Sequence, residues 1–235
     1  MFMKKILIIG GTSGIGRGLV DIYLENGYKV GIVGRRTELL KQIQSTNQNV
    51  FTETLDVSNT SKSNDVYNSL ISKMNGIDIL INCSGWGDIN KEFDNDIDLK
   101  TIQTNVIGFT QTMNFFTKYF LTKNKGVLVN ISSIGGLRGG GFIGSYNSTK
   151  SYQIKFLESL SISIRKLKKD IQITDVRLGF VDTDMLKGKG FWVSSVDDIS
   201  KKIFKDVNNN KSVVYNDLRW FVISKLLRIL PKSML

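Results

Sequence analysis

The chain has 235 residues, 41% hydrophobic and 23% charged, an ordinary globular composition that excludes a disordered chain, and no run approaches the ~20 apolar residues of a membrane-spanning helix. One cysteine, Cys83, and no histidine exclude a disulfide framework, a thiolate zinc cluster, a Ser-His-Asp triad and imidazole metal ligands. The 32 basic and 21 acidic residues leave a net charge of +11, which suits nucleic acid, anionic lipid or phosphorylated small molecules.

No nucleic-acid-binding pattern accompanies that charge, so no nucleic-acid partner is expected. Near the start, Lys4 and Lys5 precede only Ile6-Leu7-Ile8-Ile9 before glycines begin, too short an apolar stretch for a signal peptide, which predicts a cytoplasmic protein. Short apolar runs then alternate with segments of helical period, predicting one α/β domain over 1–235: a doubly wound, mostly parallel seven-stranded sheet with helices on both faces. The strands are expected at 4–9, 29–33, 50–54, 77–82, 126–132, 171–177 and 212–215. A first helix opens near Ser13 and stops before Gly27. Another, over 152–167, carries Ile154, Leu157, Leu160, Ile164 and Leu167 as one apolar stripe, for burial or for a subunit contact.

Strand one runs into Gly10-Gly11-Thr12-Ser13-Gly14-Ile15-Gly16 and a helix follows. That is where a phosphate meets free backbone N–H groups and the positive end of a helix dipole, although a glycine-rich turn alone is also ordinary turn chemistry. After strand two, where NAD-binding folds place a carboxylate for the ribose 2′-hydroxyl, stand Gly34-Arg35-Arg36. Two guanidiniums suit the 2′-phosphate of NADP, and the expected coenzyme is NADP(H).

Tyr146 and Lys150 form Y-x-x-x-K on one helix face, Ser133 ends the fifth strand thirteen residues before Tyr146, and Asn105 lies in a mid-chain helix. With these residues in this order, the chain resembles the short-chain dehydrogenase/reductase family, in its compact single-domain form, from Ile6 to about Asp206. The resemblance implies that Gly10, Thr12, Ser13, Gly14, Ile15 and Gly16 form the coenzyme loop. It implies that Asp56-Val57 contacts the adenine, although Asp56 also reads as a turn residue. Asn82-Cys83-Ser84-Gly85 then matches the Asn-Asn-Ala-Gly stretch after strand four, with Asn82 and Gly85 at the coenzyme. Asn105, Ser133, Tyr146 and Lys150 match the catalytic tetrad, with Tyr146 and Lys150 also touching the coenzyme. Leu178-Gly179-Phe180-Val181-Asp182-Thr183 matches Pro-Gly-x-Val-x-Thr, which assigns Gly179, Val181 and Thr183 to the nicotinamide end. Departures are Ile9 for threonine, Cys83-Ser84 for Asn-Ala, and Leu178 for proline.

The chemistry so implied is hydride transfer between a nicotinamide and a carbonyl or alcohol. Tyr146 is the proton donor, Ser133 the substrate hydrogen-bonding group, and Lys150 a cation that favours tyrosinate; Asn105 supports a water relay from Lys150. A coenzyme-binding regulator or scaffold with little chemistry is the alternative, and the family implies a homodimer or homotetramer. Trp86, Phe142, Met185, Phe191 and Trp192 are candidate pocket residues, Gly188 and Gly190 suggest a lid, and Arg138 is placed to meet an anionic substrate. From 217 to 235 the chain is amphipathic and basic, including Arg219, Lys225, Arg228 and Lys232. This segment suits packing on the core or a subunit, or contact with an anionic membrane surface.

Overall fold

A computed structural model describes residues 4–186 and 190–231; Gly188 of the expected lid and Lys232 of the C-terminal segment lie outside the described residues. In chain order the elements are β1 (Lys5–Ile9), α1 (Gly14–Glu25), β2 (Lys29–Gly34), α2 (Thr37–Ser45), β3 (Val50–Thr54), α3 (Ser63–Lys73) and β4 (Ile79–Asn82). After them come α4 (Asn95–Ile102), a π-helical turn (Gln103–Gly108), α5 (Phe109–Lys123) and β5 (Lys125–Ser133). The chain continues through a 3-10 turn (Ile134–Leu137), α6 (Gly144–Lys166), β6 (Asp170–Leu178), α7 (Val196–Asn208), β7 (Val213–Val214) and α8 (Leu218–Ile229).

The seven strands form one parallel sheet in the order β3-β2-β1-β4-β5-β6-β7. Parallel strands need crossovers, and the crossover helices cover both faces, so the central strands β1, β2 and β4 are buried along nearly their whole length rather than on alternate residues. Ile6, Ile8, Ile32, Ile81 and Val129 point to one face and pack with Leu19, Tyr23, Ile199 and Ile203. Leu7, Ile9, Val33, Leu80 and Leu128 point to the other, against Tyr67, Leu70, Phe109, Phe116, Phe120 and Leu157. Strand order reverses between β1 and β4, and the crevice beyond their carboxyl ends is where open α/β sheets bind ligands.

All seven expected strands are present, and two elements differ informatively from expectation at their starts. β4 begins at Ile79 because Asp78 accepts from the Lys5 backbone N–H at 2.9 Å and Ile77 N–H donates to the Tyr119 hydroxyl at 3.0 Å. α6 begins at Gly144, ahead of the expected 152, and so carries Tyr146 and Lys150 in its first turns. Its stripe buries Ile154, Leu157 and Ile164, whereas Leu167, at the C-cap, is exposed. α8 packs inward through Trp220 and Ser224 and leaves Leu218, Val222, Leu226 and Ile229 exposed, so core packing accounts for one of its faces. Among the described residues no helix is long and apolar enough to cross a membrane.

Candidate active site

The glycine loop turns out of β1 with Gly10 at φ +83° and Gly14 at φ +51°, backbone states that L side chains rarely adopt. At Gly16 a Cβ would stand 2.1 Å from the Gly10 carbonyl oxygen, so only glycine fits the first turn of α1. Ser13 is the N-cap but makes no side-chain cap, and the first turn of α1 carries no acidic residue. The chain thus leaves the first N–H groups of α1 for an anion and keeps their approach clear, the arrangement a pyrophosphate requires. Thr12 faces β2, and Ile15 turns inward against the core. Around the loop, Ser84 lies beside Gly10 and the Thr183 side chain beside Gly14, so the segments after β4 and β6 close on the glycines.

Arg35 and Arg36 leave the end of β2 on the same side. Arg36 donates to the Thr12 hydroxyl through Nε at 3.2 Å and Nη2 at 2.8 Å. Arg35 stands 3.7 Å from Asp56, with both side chains largely in solvent. Burial opposes the Asp56 charge, but two hydrogen bonds from Ser58 and the Arg35 cation outweigh it and hold the carboxyl below its ordinary range. Asp56 is therefore the turn residue and stands beside Arg35. Val57 is buried with its carbonyl against Gly108. Asn82 is buried and spends its side chain on Asn130 and Ser84.

Ser133, Tyr146, Lys150 and Asn105 meet beyond the ends of β4 and β5. Ser133 Oγ accepts from the Gly135 N–H at 3.0 Å and donates to the Leu178 carbonyl at 3.2 Å, and a Cβ on Gly135 would meet both this oxygen, at 3.3 Å, and the Tyr146 ring, at 3.7 Å. The Tyr146 ring rests on the backbone at Gly87, where a Cβ would come within 2.4 Å of it. Lys150 Nζ lies 5.8 Å from the centre of that ring and donates to the Ile131 carbonyl at 3.0 Å and to Gln153 Oε1 at 3.1 Å. Asn105 sits in the π-helical turn, a distortion frequent at functional sites. Its side chain clamps the Trp86 backbone, accepting from N–H at 2.8 Å and donating to C=O at 2.7 Å. Gly85 passes close to both Lys150 Nζ and Asn105 Oδ1.

Burial pushes the Lys150 ammonium down to about 8, against the opposing pull of Asp175 and Cys83. Burial pushes the Tyr146 phenol above its ordinary value, and the Ser133 bond offsets only part of this. Desolvation of the anion is the larger effect. Cys83 packs against the core, and burial raises its thiol to about 12, far from a reactive thiolate.

At the far end of the cleft, Gly179 donates its N–H to Asn216 at 2.8 Å, and a Cβ there would stand 2.2 Å from the Trp220 indole. Val181 is buried and bridges to Ser194, and Thr183 Oγ1 reaches the Val181 carbonyl at 3.5 Å. Phe191 stacks on Trp220 at 5.3 Å, and the Trp220 Nε1–H donates to the Trp192 carbonyl at 3.3 Å. Two of the expected pocket aromatics are thus anchored to α8. Phe142 and Met185 are exposed, and Lys100 stands 4.3 Å over the Trp86 ring. Arg138 does not stand free for an anionic substrate: its Nη2 donates to the Leu230 carbonyl at 2.7 Å, closing the 3-10 turn against the end of α8.

Sequence reasoning passed over Gln153, Asn130, Asp175 and Asn216, and it read Trp220 only as one of the apolar residues of the amphipathic C-terminal segment.

Comparison with known proteins agrees with this geometry. The model of the short chain dehydrogenase family matches residues 4–193. The 3-oxoacyl-(acyl-carrier-protein) reductase of Chlamydia pneumoniae is 28% identical over 204 residues, 82% of each chain. The 11-beta-hydroxysteroid dehydrogenase-like 2 protein of Arabidopsis thaliana is 28% identical over 239 residues, covering 94% of this chain and 77% of that protein. Among solved structures, ElxO with NADP bound is 26% identical with a TM-score of 0.83, covering 94% of this chain and all of that one. A family match over most of the length, on a seven-stranded parallel sheet with the tetrad gathered at its carboxyl edge, makes the chain an oxidoreductase of the short-chain dehydrogenase family.

Proposed function

We propose that the chain is an NADP(H)-dependent carbonyl reductase, working as one coenzyme-binding and catalytic domain. The observation that carries this reading is the convergence of Ser133 Oγ and the Tyr146 ring on Gly135, with Lys150 Nζ 5.8 Å from the centre of that ring. The glycine turn, Arg35 and Arg36 at the adenosine end, and Thr183 and Val181 at the opposite end would hold the coenzyme. A nicotinamide bound there supplies a hydride to a carbonyl carbon. As charge develops on the substrate oxygen, Ser133 donates a hydrogen bond to it and Tyr146 transfers a proton. Lys150 stabilises the tyrosinate that remains, and Asn105 fixes the Trp86 backbone that walls the cleft. With Tyr146 as the proton donor the site is set for reduction, the direction in which a proton must be given.

Selection of NADP rests on Arg35 and Arg36, together with the absence of a carboxylate at the end of β2. ElxO, an NADP-bound structure, supports this choice, while a Burkholderia phymatum relative sharing the fold at 16% identity was solved with NAD. Replacing Arg35 by aspartate is expected to lower the NADPH-to-NADH ratio of kcat/KM by about 10- to 100-fold, the value of one charge-assisted contact. An unchanged ratio would assign the 2′-phosphate elsewhere.

The enzyme is further proposed to act as a homo-oligomer. Leu99, Ile102 and Ile107, on α4 and the π turn, and Tyr152 and Ile162 of α6 are exposed apolar side chains on elements that pack together, which a second copy would cover. Sedimentation at micromolar concentration is expected to show a dimer or tetramer, and a monomer throughout would remove this proposal.

A further inference from the structure

Gln153 is fully buried on α6, three residues beyond Lys150, and the mechanism above gives it no task. Its Oε1 accepts from Lys150 Nζ at 3.1 Å and from Asn130 Nδ2 at 3.2 Å, while its Nε2 donates to the Asn105 carbonyl at 2.8 Å. Leaving a buried carboxamide unpaired is costly, so a polar group at this depth is informative through what it pairs with. Here it pairs with two members of the tetrad.

Its orientation is set from a distance. Ser84 Oγ donates to Asn82 Oδ1 at 2.6 Å, which turns Asn82 Nδ2 toward Asn130 Oδ1 at 2.8 Å. Asn130 Nδ2 is then left to face Gln153, which must present Oε1. Reversing any one of these amides would set donor against donor or acceptor against acceptor. Ser84, where the family pattern has alanine, is the hydroxyl that starts the series. The parallel register puts Asn82 level with Asn130, so the sheet itself sets the spacing.

We infer that Gln153 is a positioning residue, whose carboxamide oxygen holds the Lys150 ammonium against the Ile131 carbonyl and whose nitrogen ties that ammonium to the Asn105 turn. The inference rests on the reading that Lys150 serves Tyr146. A carboxamide does not titrate in this range, so its influence is on the place and charge of the lysine.

Lys150 is faced by Asp175 on β6, itself paired with Arg177, by Cys83 after β4 and by the Tyr146 ring on its own helix. From β5 it is faced by the Ile131 carbonyl. Losing the Oε1 acceptor leaves the ammonium less well solvated and moves its titration down, and a carboxylate in the same place moves it up.

The test is a pH titration of the full chain labelled at lysine ¹³Cε, with the Lys150 resonance assigned by its loss in Lys150→Arg. Gln153→Met keeps the length and removes the acceptor, whereas Gln153→Glu keeps an acceptor and adds charge. Relative to wild type, the midpoint is expected to fall by at least ~0.5 units in Gln153→Met and to rise by at least ~1 unit in Gln153→Glu. If the methionine variant does not fold, the glutamate variant carries the test alone. Midpoints of the folded variants within ~0.2 units of wild type would overturn the inference. A second readout, carbonyl-dependent NADPH oxidation, is expected to show the alkaline limb of kcat moving with the lysine midpoint at constant coenzyme KM. A limb that stays put while wild type turns over would also overturn it. Moving midpoints in a chain that reduces no carbonyl would instead support the positioning role and defeat the reductase reading.

Discussion

Tyr146→Phe is expected to lower carbonyl reduction by about 1000-fold, the middle of the range for loss of a general acid. The substitution removes one hydroxyl and keeps the ring. The ring is seated on the backbone at Gly87, where no side chain fits, and phenylalanine occupies the same place. Ser133 keeps its bonds to the Gly135 N–H and the Leu178 carbonyl, so the substrate-facing hydroxyl stays in position. The glycine turn and the arginines after β2 are untouched, and coenzyme affinity, followed by NADPH fluorescence, is expected to stay within about threefold. Turnover within tenfold of wild type would remove Tyr146 from the role of proton donor.

Asp175→Ala carries the largest expected effect on stability. Asp175 is buried at the level of β6 beneath the site, accepting from Ser132 Oγ at 2.5 Å and pairing with Arg177 Nε at 2.6 Å. The Arg177 side chain is only 11% exposed, so losing Asp175 leaves a largely buried cation without its carboxylate and with Tyr215 as a neutral neighbour. Breaking a pair of this kind typically costs about 3–5 kcal/mol, a large share of the stability of a domain this size. Urea denaturation at neutral pH should show it, and a loss below about 1 kcal/mol would mean that Arg177 finds another partner.

The same variant has a pH signature. Lys150 titrates near 8 in the folded chain against 10.5 in its absence. Between those values the unfolded chain binds a proton that the native chain does not, so this group's contribution makes stability rise with pH across the window. Asp175 raises the Lys150 value, and its removal extends the window to lower pH.

How much of this was legible follows from where the information sits. The central strands were readable because runs such as Ile6-Leu7-Ile8-Ile9 are buried on both faces and are therefore apolar without interruption. The glycine turn was readable because only glycine satisfies its positive φ values and its contact between Gly16 and Gly10. The start of α6 was not, since its first two turns carry Ser145, Asn147, Ser148 and Thr149 and show no apolar stripe. Polar residues stand there because this part of the helix faces the site rather than the core. The π turn at Asn105 is too short to leave a period in the sequence. Gln153 beside Ile154 reads as a surface residue, and its burial is created by β5 and the Asn105 turn packing over it.

Trp220 illustrates the same limit from the opposite side. Within 217–235 it looks like one aromatic of an amphipathic surface segment, yet it is 1% exposed because Gly179 offers no side chain beneath the indole. That seat is a property of two segments forty residues apart and belongs to neither alone. Arg138 likewise reads as a free cation until α8 presents the Leu230 carbonyl to it.

The central claim is that a hydride reaches a carbonyl carbon in the cleft where Tyr146, Ser133 and Lys150 meet. Its most direct test is isotope transfer from NADPH deuterated at the transferring C4 position, across a panel of aromatic ketones and aldehydes, with products read by mass spectrometry. Wild type is predicted to give alcohol carrying one deuterium on the former carbonyl carbon, and Tyr146→Phe almost none. No labelled alcohol from any carbonyl in the panel, or equal labelling by the two proteins, would contradict the account.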